Sequence, residues 1–153
     1  MAKNVKQMPK DLFKRGESIS KDMAYNIPFA VGKMARQEFA ESFQMQRFND
    51  DGTTTWKKPQ RAISGTKAYN SATPAARTRK TLFGSGSANL RNSLEFKVPS
   101  PRRTTIGTDV PYARYHNEGT RPQPQRKFLG YSRRIIKEGF DIMNSFINKD
   151  MLK

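Results

Sequence analysis

The stretch Leu94-Glu95-Phe96-Lys97-Val98-Pro99-Ser100-Pro101-Arg102-Arg103-Thr104-Thr105-Ile106-Gly107-Thr108 decides the fold class. Apolar residues at 94, 96 and 98 alternate with charges at 95 and 97, the period of a strand with one face buried. Pro99-Ser100-Pro101 breaks the run, and Arg103 to Thr108 reads as a β-rich strand returning antiparallel. A hairpin flanked on both sides by helical periodicity makes the chain α+β.

Upstream, Leu12, Ile19, Met23 and Ile27 form a narrow stripe at helical spacing, weakened by Gly16, with Ser18 able to restart the helix as an N-cap. Pro28 marks a boundary and suits the first turn of a second helix. There Val31, Ala35, Phe39 and Phe43 recur every four residues, widened by Met34, to about Gln46. A helix pair and a single kinked helix both fit. Asn49-Asp50-Asp51-Gly52 signals a turn, and Trp56 after it reads as an anchor of a loop against the core. Residues 57–81 show no sustained period and read as a long basic loop.

Downstream of the hairpin, Val110 to Asn117 reads as a turn or a single helical turn. Phe128-Leu129 suits a short third strand. Ser132 caps a C-terminal helix whose Ile136, Phe140, Met143 and Ile147 lie on one face, with Ile135, Ile142 and Phe146 alongside. The expected architecture is a small antiparallel sheet with the N-terminal helices and the C-terminal helix packed against one face. The chain reads as one domain over 1–153, with residues 1–9 expected to be flexible.

The chain has 153 residues, enough for a modest core, but only 35% are hydrophobic and mean hydropathy is -0.85. Part of it is therefore expected to be extended, mobile or ordered only by contact with other subunits. It has no cysteine, which removes disulfides, thiolate nucleophiles and sulfur-ligated zinc. No apolar run approaches the roughly 20 residues of a membrane span. The basic start, MAKNVKQMPKDLFKRG, lacks an apolar core and does not read as a secretory signal, so synthesis in the cytoplasm is expected. Net charge is +16, and from Lys57 to Arg103 the only acid is Glu95. Such a field attracts polyanions: nucleic acid, an acidic protein face or anionic lipid. Lys57, Lys58, Arg61, Lys67, Arg77, Arg79, Lys80, Arg102 and Arg103 are the candidate contacts.

The only histidine lies in Tyr112-Ala113-Arg114-Tyr115-His116-Asn117-Glu118-Gly119-Thr120. A His-x-Glu pair occurs in zinc deaminases, which also need a downstream Pro-Cys-x-x-Cys. A His-Glu-x-x-His site needs a second histidine. A nucleophilic serine would need a Gly-x-Ser-x-Gly elbow. None of these is present, so no catalytic residue, metal or cofactor is assigned. Gly84-Ser-Gly-Ser-Ala-Asn89 lacks the Gly-Lys-Ser/Thr ending of a phosphate loop and reads as a tight bend into Leu90. Few aromatics interleave the basic segment, Tyr69 and Phe83, so any nucleic-acid contact is expected to be to phosphate and blind to sequence.

Taken in order, these motifs resemble the bacteriophage virion morphogenesis or tail completion family, which includes tail-to-head joining proteins. The resemblance is carried by Asp51-Gly52 and Trp56, by Gly86 before Leu90-Arg-Asn-Ser93-Leu94, and by Ile106-Gly107-Thr108. It continues in Tyr112-Ala113-x-x-His116-x-x-Gly119 and in Pro124-x-Arg126-x-Phe128-Leu129-Gly130. It spans Phe39 to Phe146. Lys127 stands where the family often has proline, and Glu118 where it has an aromatic or aliphatic residue. The resemblance implies a non-enzymatic structural protein of the virion, forming a ring, commonly sixfold, at the head-proximal end of the tail or in the neck. Its implied partners are further copies of itself, the tail tube or terminator, connector or neck proteins, and DNA in the channel. A small sequence-independent nucleic-acid-binding protein is the alternative.

Overall fold

Strands β1 (Glu95–Ser100) and β2 (Arg103–Gly107) pair antiparallel, Phe96 opposite Ile106 and Lys97 opposite Thr105. The alternation puts Phe96 and Ile106 on the covered face and Glu95 and Lys97 on the open one. The break expected at Pro99 does not end the strand. β1 runs through it to Ser100, and the register slips between Lys97 and Ser100. A proline has no N–H for the ladder, and an irregularity in a two-stranded edge accommodates it.

The computed structural model describes residues 10–48, 55–83, 89–120 and 123–151. The first nine residues, the Asn49–Gly52 turn and the bend from Gly84, with Gly86, lie outside them.

Helix α1 (Lys10–Lys21), a π-turn (Asp22–Asn26) and α2 (Ile27–Met45) follow one another without a break. Pro28 explains the π-turn. A proline cannot donate to the carbonyl four residues back, here Ala24, so the ladder must loosen there. The Ala24 carbonyl instead accepts the N–H of Arg102, at 2.8 Å, from the tip of the hairpin. Thr104 Oγ1 donates to the Pro28 carbonyl beside it. The discontinuity in the helix is thus where the hairpin is fastened. Gly32 permits the close approach that follows, because a Cβ there would run into the Phe96 ring.

Beyond that point α2 buries Ala35, Phe39 and Phe43, as the stripe predicts. They meet Trp56, Leu90, Leu94, Ala113 and Phe128 in the core. Phe43 lies edge-on to Trp56 at 5.4 Å between ring centroids and 5.1 Å from Phe128. Helix α2 ends with Gln46 in the left-handed region, and the Gln46 side chain accepts the Thr81 N–H at 2.6 Å.

Residues 57–81 are not one open loop. They fold into a 3-10 turn (Gln60–Ala62) and two short helices, α3 (Lys67–Asn70) and α4 (Pro74–Thr78). Thr66 and Thr73 cap them, accepting the N–H of Tyr69 and of Ala76. Leu90 lies in another short helix, α5 (Asn89–Asn92), just before β1.

The third strand expected at Phe128-Leu129 is absent among the described residues, where the sheet has two strands. The Phe128 and Leu129 N–H groups both donate to Asn117 Oδ1, each at 2.9 Å. One side-chain amide on α6 (Ala113–Glu118) thus replaces a neighbouring strand. Helix α7 (Arg133–Met151) starts after Ser132, whose Oγ accepts from the Ile135 N–H. It lies against α1 and α2, while α2 lies against both strands. The class is α+β, as expected. The α7 stripe divides, however. Ile135 packs on the core and Met143 faces Met23, Ile27 and Val31, whereas Ile136 and Phe140 are exposed. Apolar residues on more than one side of a helix cannot all face one neighbour.

Candidate functional site

Three segments distant in sequence are stitched together beside Trp56. Its indole N–H donates to the Lys127 carbonyl at 2.9 Å. The Arg126 N–H donates to the His116 carbonyl at 2.7 Å. The Arg126 guanidinium donates through Nε and Nη2 to the Lys57 carbonyl, at 3.3 and 3.2 Å. Gly119, at φ +76°, ends α6 and turns the chain into this arrangement, where a Cβ would lie 2.9 Å from the Gln125 nitrogen. Between the segments runs an open cleft of about 1050 Å³. Lys57, Lys58, Arg61, His116, Glu118 and Arg126 are among the residues that line it, with Pro59, Ile63, Leu82 and Pro124.

The cleft is electropositive and its charges strain against one another. Burial, then the nearby Arg61 charge, makes the Arg126 guanidinium easier to deprotonate than usual. Burial, then Arg126, lowers the His116 pKa below its ordinary value. His116 Nδ1 is buried without a hydrogen-bond partner among the described residues. His116 instead links the segments through its backbone carbonyl. The acid on the rim, Glu118, is held by Arg114 at 2.9 Å.

Of the candidate cationic contacts, Lys57, Lys58 and Arg61 line this cleft. Lys67 is exposed on α3. Arg77 lies over the Tyr69 ring at 4.2 Å and donates to the Tyr69 carbonyl, and Lys80 bonds the Gln44 carbonyl and side chain, so both brace the fold. Arg79 is half-buried. Arg102 and Arg103 are exposed at the hairpin tip, where Arg102 borders the separate groove beside Met23 and Met143.

The residues of the family-like motifs mostly serve the frame. Trp56, Leu90, Ala113 and Phe128 are core, and half-buried Leu129 packs on it. Ser93 Oγ donates to the Leu90 carbonyl and pairs with Thr108 Oγ1 at 2.6 Å. Gly107 closes β2, Tyr112 lies edge-on to the His116 ring, and Gly130 leads toward α7. His116, Gly119 and Arg126 belong to both frame and cleft. The sequence reading missed Asn117, although its amide beside His116 was visible as a side chain able to accept more than one N–H. It also missed Glu38, buried on α2 and bonded by Arg134 of α7 at 3.2 Å, whose pKa burial raises.

No family model, curated protein or solved structure matches the chain. No described helix is long and apolar enough to cross a membrane.

Proposed function

We propose that the chain is a non-enzymatic structural subunit of a phage virion, assembling as a ring at the head-proximal end of the tail or in the neck, where it joins tail to head around the DNA channel. The observation that carries this reading is an uncovered apolar surface. Helix α1 contains no buried residue, and Leu12, Phe13, Tyr25 and Phe29 along the α1–α2 rod are each more than half exposed, as is Phe140 on α7. So many large apolar side chains left exposed on a chain this polar mark an interface with another chain. A closed ring uses two different surfaces of each subunit. The α1–α2 rod and the Ile136 and Phe140 face of α7 offer two such surfaces. The order of motifs along the chain agrees with this reading, and the exposed cations suit DNA in the channel or an acidic neighbouring ring.

The test is the mass of the purified protein in solution, with purified tail tubes added in a second measurement. A ring of about six copies, or stable attachment to tails, is expected. A monomer that coats DNA at low salt favours the alternative of a sequence-independent nucleic-acid-binding protein. Its affinity would then fall with a log–log salt slope near -0.9 per phosphate neutralised.

A further inference from the structure

We propose that the cleft floored by Arg126 is a carboxylate-binding site that takes an acidic peptide segment of a partner protein, an aspartate or glutamate side chain entering between Arg61 and Arg126. This inference is independent of the ring assembly, since the site is complete within one subunit.

Arg126 is only 7% exposed, yet no carboxylate pairs with it among the described residues. Nε and Nη2 each donate to the Lys57 carbonyl, which fixes the plane of the guanidinium. Of its five N–H groups, the two of Nη1 and the second of Nη2 are left without a protein partner among the described residues. A carboxylate matches that remaining edge in a planar, two-point fashion. Arg61 is anchored in the same way, its Nε donating to the Ala76 carbonyl at 3.0 Å. Two held guanidiniums that repel each other, next to an imidazole nitrogen lacking a partner, form a site that an anion would relax. Glu118 does not fill that role, because Arg114 holds it.

The shape favours peptide over nucleic acid. Arg126, the buried cation, shares the lining with the apolar Pro59, Ile63, Leu82 and Pro124. A carboxylate on a short aliphatic stem can reach it while its neighbours cover those apolar residues. A phosphate backbone is instead followed by outstanding cations, and single strands are held by aromatic platforms; the described lining has no Phe, Tyr or Trp.

His116 is the sole histidine, so its imidazole signal in a nuclear magnetic resonance titration of the full chain reports this cleft without ambiguity. The probes are a capped peptide Leu-Glu-Asp-Leu-Glu, its Leu-Gln-Asn-Leu-Gln counterpart, inorganic phosphate and an eight-nucleotide oligothymidylate. The acidic peptide is expected to shift the signal saturably and to move the His116 titration to higher pH. The amide counterpart should do neither. Arg61→Gln and Lys58→Gln should each weaken the acidic peptide at least fivefold, while Lys149→Gln, which removes the same charge from α7, should leave it unchanged. Lys58 is exposed, so its variant keeps the test sound if Arg61→Gln melts early. Equal weakening by Lys149→Gln would mean bulk charge and overturn the site. So would tighter binding of phosphate or oligothymidylate at His116, or no saturable shift with the acidic peptide.

Discussion

Phe13 and Phe43 lie on the same helical rod and live under opposite conditions. Phe43 is fully enclosed by Trp56 and Phe128, while Phe13 is 60% exposed on a helix that buries nothing. The difference separates what the chain needs in order to fold from what it keeps for others. From Pro28 onward α2 is held by the hairpin on one side and by α7 on another. Before the π-turn, α1 continues a helix already nucleated and touches α7, so it needs little packing of its own to form.

The comparison is broken most directly at the enclosed end. Phe43→Ala should cost about 3–5 kcal/mol, a large share of the roughly 5–15 kcal/mol typical of a domain. Urea unfolding would show it as a lower midpoint, and a variant near wild-type stability would mean that the aromatic cluster is not the centre of the fold. Asn117→Ala comes next. It leaves the buried-side N–H groups of Phe128 and Leu129 without their shared acceptor, a loss of about 1–3 kcal/mol. Hydrogen exchange at those two amides should quicken more than at β1, which would locate the loss.

These two residues also mark the limit of what the sequence makes legible. Phe43 is readable because large apolar groups recurring every four residues seldom arise except on a buried helix face. Trp56 and the hairpin are readable for similar reasons, a bulky residue after a turn and a period of two. Phe128-Leu129 resembles a strand because two apolar residues in extended chain are the same pattern whether the acceptor is a neighbouring strand or one asparagine. Residues 57–81 hide their helices because a single turn has no period to display, although Thr73-Pro74 carries the cap signature. The cleft is least legible. Its cations are separated by half the chain, and charge in a sequence does not say which guanidinium will be recessed. Lys57, Lys58 and Arg61 stand out as contacts from charge alone, but Arg126 reads only as a motif position, and Arg77 and Lys80 brace the fold.

A smaller effect, on pH dependence, separates the cleft from the helix interface. The His116 pKa lies below its ordinary 6.5 when folded, so the unfolded chain binds the proton more tightly. That contribution is complete above pH 6.5 and is lost as pH falls toward the folded value. Glu38 acts in the opposite sense: its raised folded pKa favours the folded state at low pH, and the advantage is lost as pH rises through that value. Comparing His116→Gln with wild type cancels the Glu38 part. The variant should lose less stability than wild type between about pH 7 and 5, read from melting temperatures. An identical slope would show that His116 does not resist protonation.

The smallest effect on stability is expected where the apolar surface is most open. Leu12→Ser with Phe13→Ser should change the unfolding free energy of the isolated subunit by no more than about 0.5 kcal/mol, as for surface positions generally. Leu12 and Phe13 are 52% and 60% exposed, against full burial for Phe43. The same pair should lower the fraction of protein in higher oligomers, measured by sedimentation at equal concentration. The two readouts discriminate because they respond to different partners: melting of the subunit senses contacts within the chain, and sedimentation senses contacts between chains. A large fall in melting temperature with no change in sedimentation would place these side chains in the fold's own core and remove the contrast between the two ends of the rod. Unchanged behaviour in both would leave α1 as a solvated helix, and the assembly surface would have to be sought on Ile136 and Phe140 of α7 instead.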